Sequence, residues 1–216
     1  MKGLLLKDLS IIKTQIRSVV LIMIIALFMM LAGNNTTFAV VYSNILFVTF
    51  GINTLSYDSH DNGYAFLFTV PITRKLYILE KYVFSMLSVV TGTILSLILM
   101  LGVSFVKDNY MLTSSEISFV IGYAIGAFVV LAIMLPVNLK FGPEKGRIAM
   151  IVLIAIVMAG VFSISKIAGT VDLTKLYFEM REVSIFVIWT ILILVTLIII
   201  SLSYMISCKV MEKKEF

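Results

Sequence analysis

The side chains that could do chemistry in this chain are concentrated between Tyr57 and Tyr82, where acids, aromatics and bases surround the only histidine. Asp58, His60 and Asp61 are residue types that can hold a divalent metal. One histidine in a polar loop between two aspartates nevertheless lacks the converging ligands at fixed spacing that a metal centre requires. Ser85, Ser88, Ser96 and Ser163 lie in apolar segments with no base accompanying them at membrane depth, so none is set up as a nucleophile. Serines in such segments are expected to hydrogen-bond within or between helices. The nearest approach to a phosphate-cradling loop is Gly142-Pro143-Glu144-Lys145-Gly146-Arg147, which lacks the Gly-x-x-x-x-Gly-Lys-Ser/Thr order. No catalytic residue, bound cofactor or metal is expected of this chain, which cannot hydrolyse ATP alone. Cys208, the sole cysteine, cannot form an internal disulfide.

The elements that hold these residues are set by composition. Of 216 residues 61% are hydrophobic and 13% charged, with a mean hydropathy of +1.11. Ordinary soluble domains are roughly 45–50% apolar. Six apolar runs, 19–33, 38–55, 82–106, 117–137, 148–165 and 183–207, approach the ~20 residues that cross a ~30 Å hydrocarbon core at 1.5 Å rise per residue. The expected fold is all-α: a polytopic membrane protein in which residues 1–216 form one transmembrane domain of six spans. Residues 1–18 read as an interfacial amphipathic helix, with Leu5, Leu9, Ile12 and Ile16 on one face and Lys7, Ser10, Lys13, Thr14 and Arg17 largely on another. A polar extension of the first span is the alternative. Charges at Lys7, Asp8, Lys13 and Arg17 argue against a cleaved signal peptide. Gly122 and Gly126 have the spacing that permits close helix approach.

Charge placement orients the chain. The segments on the N-terminal side of the membrane hold thirteen of the 17 basic residues, and the opposite side holds Lys107, Lys166, Lys175 and Arg181. The positive-inside rule then places both termini in the cytoplasm. The net charge of +5 is scattered between spans, without the dense basic surface that nucleic acid binding needs. Ionisable residues are nearly absent from the spans, which argues against ion-coupled carriers and intramembrane proteases.

Residues 57–81 form the longest inner segment. Asp61 and Gly63 suit a turn or helix start. Tyr64 to Val70 is an aromatic segment too short to span, Pro71 ends it, and a new element begins near Thr73. Arg74 and Lys75 fit the phosphate layer, and Glu80 can pair with a basic residue of a partner. On the residues alone this is either a rigid knob that transmits force to a partner or an interfacial loop pinned by its aromatics and bases.

The order of these residues resembles the ABC-2 family of transporter permeases, specifically its short six-span bacterial members. In those proteins an acidic-aromatic turn leads to a short helix, a Leu-Pro-Ile-Ser/Thr-Arg-Lys-like motif and a Lys-Tyr that opens the next span. Here the motif reads Val70-Pro71-Ile72-Thr73-Arg74-Lys75 and then Lys81-Tyr82, with valine at the leucine position. Lys2-Gly3-Leu4-Leu5-Leu6-Lys7-Asp8-Leu9 is also similar to the family's interfacial helix.

The resemblance implies the permease subunit of an ABC-type exporter in a bacterial cell membrane. A cytoplasmic coupling helix between spans two and three would dock on a separate nucleotide-binding ATPase subunit, where ATP and Mg are held. A second permease subunit, identical or a sister, would complete the transporter. Tyr57, Asp58, Tyr64, Phe66, Pro71, Arg74, Lys75, Glu80 and Lys81 would make the contact with the ATPase. Short permeases of this kind resemble exporters of amphipathic peptides such as modulins and bacteriocins, so the expected cargo is an amphipathic peptide or hydrophobic compound. The alternatives are a non-transporting membrane immunity protein that binds a peptide toxin, and a secondary carrier.

Overall fold

The computed structural model describes residues 2–32, 36–59, 63–69, 71–106, 113–168 and 185–214. Every regular element among them is helical: α1 (Lys2–Thr14), α2 (Ile16–Ala32), α3 (Thr36–Ser59), α4 (Gly63–Leu67), α5 (Arg74–Val106), α6 (Ser114–Ala168) and α7 (Ile185–Glu212). His60 and Asp61 of the expected turn, Val70, Lys107, Lys175 and Arg181 lie outside the described residues.

Among the described residues four helices are long and apolar enough to cross a membrane: Val40–Ser59, Arg74–Val106, Ser115–Ile156 and Phe186–Glu212. A fifth crossing arises if α1 and α2, which meet at a 61° bend, are taken together. The six expected spans therefore do not map one to one onto these helices. The difference lies partly in α2, whose 17 residues are short for a crossing, and partly in α6, which contains both 117–137 and 148–165.

α6 is interrupted at Gly142, whose φ of 81° and ψ of 173° are open only to glycine without strain. Met134, Asn138, Gly146 and Met150 line one cavity of about 170 Å³. In an uninterrupted helix Met134 and Met150 would stand about 24 Å apart. A Cβ at Gly146 would also collide with the Asn138 side chain. The chain thus folds back at Gly142, and Pro143 opens the return arm where a missing N–H costs nothing.

Two freed carbonyls explain how α7 docks on the first arm of α6. Pro136 has no N–H for the carbonyl of Ala132, and Leu139, in the last turn before the break at Gly142, has no helical donor for its own. Both orphaned acceptors are met from α7 and the residues just past its end. The Ser203 hydroxyl donates to Ala132 O, and Lys214 Nζ donates to Leu139 O at 3.1 Å. Freed carbonyls at membrane depth need such replacement donors because no water reaches them. Tyr82 of α5 joins the same network, its hydroxyl 2.5 Å from Ser203 Oγ and 2.8 Å from Ser207 Oγ.

One apolar cluster packs Ile52, Leu55, Tyr64, Tyr77, Leu135 and Met211 where α3 to α7 meet. A smaller one joins Met30, Val40, Met100 and Val120 elsewhere in the bundle. Helices α3 and α5 also approach closely. A Cβ at Gly51 would lie 3.0 Å from the Ser85 backbone, and one at Gly92 would lie 2.7 Å from the Phe47 ring. Gly122 meets only the Trp189 ring at 3.6 Å and Gly126 meets nothing within 4 Å, so close approach falls elsewhere than at the expected pair. Between α3 and α5, Ser43 and Ser96 hydroxyls pair at 2.7 Å, and Thr93 donates to Asn44 Oδ1 at 3.1 Å. Ser88 and Ser163 instead bond carbonyls of their own helices.

Candidate functional site

The end of α3, the short α4 and the start of α5 bring the expected contact residues to one end of the bundle. Gly63 permits the return from α3, since a Cβ there would sit 2.6 Å from Asp58 O. Phe68 N–H donates to Tyr64 O at 3.0 Å and Thr69 N–H to Phe66 O at 3.2 Å, closing α4. Thr73 caps α5, its hydroxyl accepting from Leu76 N–H at 3.3 Å as helix N-caps do.

Four of the nine residues face outward. Phe66 is 78% exposed and Tyr57 52%, and Pro71 and Lys75 are also exposed. The Tyr57 hydroxyl accepts from Gln15 Nε2 at 2.8 Å, and Lys75 lies 3.6 Å from Glu212.

Arg74 is committed within the chain. Its guanidinium donates to Met211 O at 3.1 Å and Glu212 O at 2.6 Å, neutralising the negative end of α7. Tyr64 is buried, edge-on to Tyr77 at 6.0 Å, with Lys214 Nζ 4.6 Å from its ring centre. Burial pushes the Tyr64 phenol up to about 12.

Asp58, Glu80 and Lys81 are interior. Lys81 Nζ lies 2.5 Å from Asp8 Oδ2 and 2.7 Å from Asp58 Oδ2. Asp58 also pairs with Lys7 and accepts the Tyr77 hydroxyl at 2.9 Å. Glu80 sits 3.8 Å from Lys81, and neither of its carboxylate oxygens has a hydrogen-bond partner among the described residues. Buried charges persist only when paired and hydrogen-bonded. The lysine of α5 thereby draws together an aspartate from α1 and another from α3.

The structure places three of the expected contact residues inside the bundle. Glu80 and Lys81 are 0% accessible and Asp58 6%, so these side chains are engaged within the chain rather than presented at its surface. Glu80 lies beside Lys81. Lys7, Asp8 and Tyr77 complete the cluster without having been expected in it. Asp8 is on the inward face of α1 with Leu4, four residues earlier, while Leu6, Leu9 and Ile16 are exposed. That i, i+4 spacing was the one available signal, but an acid on an interfacial helix reads first as solvated.

A short helix with an exposed aromatic stands between two long apolar helices, and buried ion pairs tie α1 to both of them. A family model described as an ABC-2 family transporter protein matches residues 3–212. No curated protein and no solved structure gives a match.

Proposed function

The chain belongs to the ABC-2 family of transporter proteins, and on that premise we propose that it is the membrane-spanning permease subunit of an ATP-driven exporter. The ATPase is a separate polypeptide that holds ATP and Mg, and α4 with the exposed Tyr57, Phe66, Pro71 and Lys75 docks on it from the cytoplasmic side. A second permease subunit completes the path. ATP binding moves the ATPase pair, and the motion enters the membrane through α3 and α5, which bracket α4. The cargo is an amphipathic peptide or hydrophobic compound, consistent with spans nearly free of ionisable groups.

One observation carries the coupling reading: Phe66 is 78% exposed on an element whose supports are held by buried ion pairs. An exposed aromatic on a rigid mount is the type of anchor that fills a partner's pocket. The test is capture of the detergent-solubilised chain from its native cells, with ATPase activity assayed on the bound material. A co-purifying ATPase that Phe66→Asp releases is the expected result. Capture of the intact chain with no ATPase, under conditions that keep other membrane complexes whole, would overturn the proposal in favour of an immunity protein or a carrier.

A further inference from the structure

We infer that the cleft between the first arm of α6 and the C-terminal part of α7 is a binding site for one anionic phospholipid. Two adjoining cavities, of about 400 Å³ and 410 Å³, share Lys140, Ile206 and Val210. The first is ringed by Lys140, Lys209, Lys213 and Lys214. The second is lined by Ala132, Pro136, Ile199 and Leu202 among other apolar residues. A basic mouth therefore opens into an apolar channel that runs along the helices. Ala132 lies eight residues before Lys140, about 12 Å along the helix axis.

Among the described residues the lysines have no carboxylate partner. Lys209 lies on α7 and Lys213 just past its end, and Lys140 faces them from α6. Glu212, next to Lys213 in sequence, lies beside Lys75 instead. Lys214 uses one donor on Leu139 O and keeps others, since an ammonium has three. Burial lowers the Lys214 pKa with no acid to offset it. Four cations at one mouth repel one another until an anion enters.

The channel selects among anions. Inorganic phosphate or a nucleotide would satisfy the lysines and leave the apolar part unused. A phospholipid of net negative charge satisfies both, with its phosphate at Lys140, Lys209 and Lys213 and one acyl chain against Pro136, Ile199 and Leu202. Basic pockets between membrane helices hold anionic headgroups in this way. The mouth adjoins the proposed ATPase-docking element, with Lys214 against the Tyr64 ring of α4, but lipid binding in nanodiscs needs no ATPase, so either proposal can fail alone.

The test uses the full chain in phosphatidylcholine nanodiscs, with Leu202→Trp placed in the channel in a Trp189→Phe background. Quenching by brominated phosphatidylglycerol should saturate at a small mole fraction, while brominated phosphatidylcholine should quench only in proportion to its bulk amount. Lys140→Gln, Lys209→Gln and Lys213→Gln together should weaken the preference about a hundredfold, at roughly fivefold per lysine. A control triple variant at Lys13, Arg17 and Lys145 should keep it. Native mass spectrometry of the wild-type chain, which carries no substitution, should show one retained phosphatidylglycerol. Equal quenching by the two lipids, equal loss in the control variant, or displacement by millimolar inorganic phosphate would each overturn the inference. So would burial of Leu202→Trp from both lipids through self-association of the chain.

Discussion

The Lys81 ammonium lies 2.5 Å from Asp8 Oδ2, across 73 positions of sequence, and both side chains are fully buried. This contact pins α1 to the start of α5 and leaves no solvent to stabilise either charge if the other is removed. Lys81→Met is expected to cost about 3–5 kcal/mol, because Asp8 and Asp58 would then be left short of cations. Adding Asp8→Asn to Lys81→Met should recover part of the loss, a coupling visible in a double-mutant cycle of detergent-phase unfolding. Strict additivity of the two substitutions would show that they do not interact.

Ser203 stands in for the N–H that Pro136 cannot supply to Ala132 O. Ser203→Ala leaves that carbonyl unsatisfied, and a loss of about 1–3 kcal/mol is expected. Pro136→Ala restores a backbone donor four residues after Ala132. The double variant should therefore be more stable than Ser203→Ala alone, in the same unfolding assay. If Pro136→Ala does not rescue, Ser203 matters for its contact with Tyr82 rather than for the carbonyl.

The turn at Gly142 holds a φ of 81°. A side chain there is strained by about 1–3 kcal/mol, although no atom lies within 4 Å of a Cβ built at that position. Gly142→Ala and Gly142→Asn should both lower stability by that amount, because the ψ of 173° lies outside the left-handed helical region in which asparagine is tolerated. No loss in either variant would point to the backbone having relaxed.

Much of the helical fold is legible in the order of residues, because apolar runs of membrane length have few other solutions. The start of α5 is legible too, from Pro71 and the capping Thr73. The ion cluster is not. Asp8, Asp58 and Lys81 come from three separate helices, and nothing local distinguishes a charge bound for the interior from one bound for the headgroups. Lys81 and Glu80 follow a polar segment between two apolar runs, so surface exposure is the simpler reading of the sequence. Helix contact within the chain is hard to read from sequence for a related reason. Gly122 and Gly126 carry a recognisable spacing, whereas Gly51 and Gly92 matter through the partners they face, Ser85 and Phe47, which only the packing identifies.

The division between exposed and interior residues decides which substitutions can report on coupling. Arg74→Glu would place a carboxylate against the Met211 and Glu212 carbonyls that the guanidinium now caps, and Glu80→Lys would put a second cation beside buried Lys81. Loss of transport in either would reflect damage to the bundle. Phe66 is free of that ambiguity because most of its surface already faces outward, so Phe66→Asp should change stability by no more than about 0.5 kcal/mol. Its expected effect is on partnership: at least a tenfold drop in co-purified ATPase and a parallel loss of ATP-dependent export, with an unaltered unfolding midpoint. Lys75→Glu should act in the same direction but more weakly, since a solvated charge contributes less than an aromatic anchor. A Phe66→Asp protein that retains its ATPase would move the docking surface away from α4.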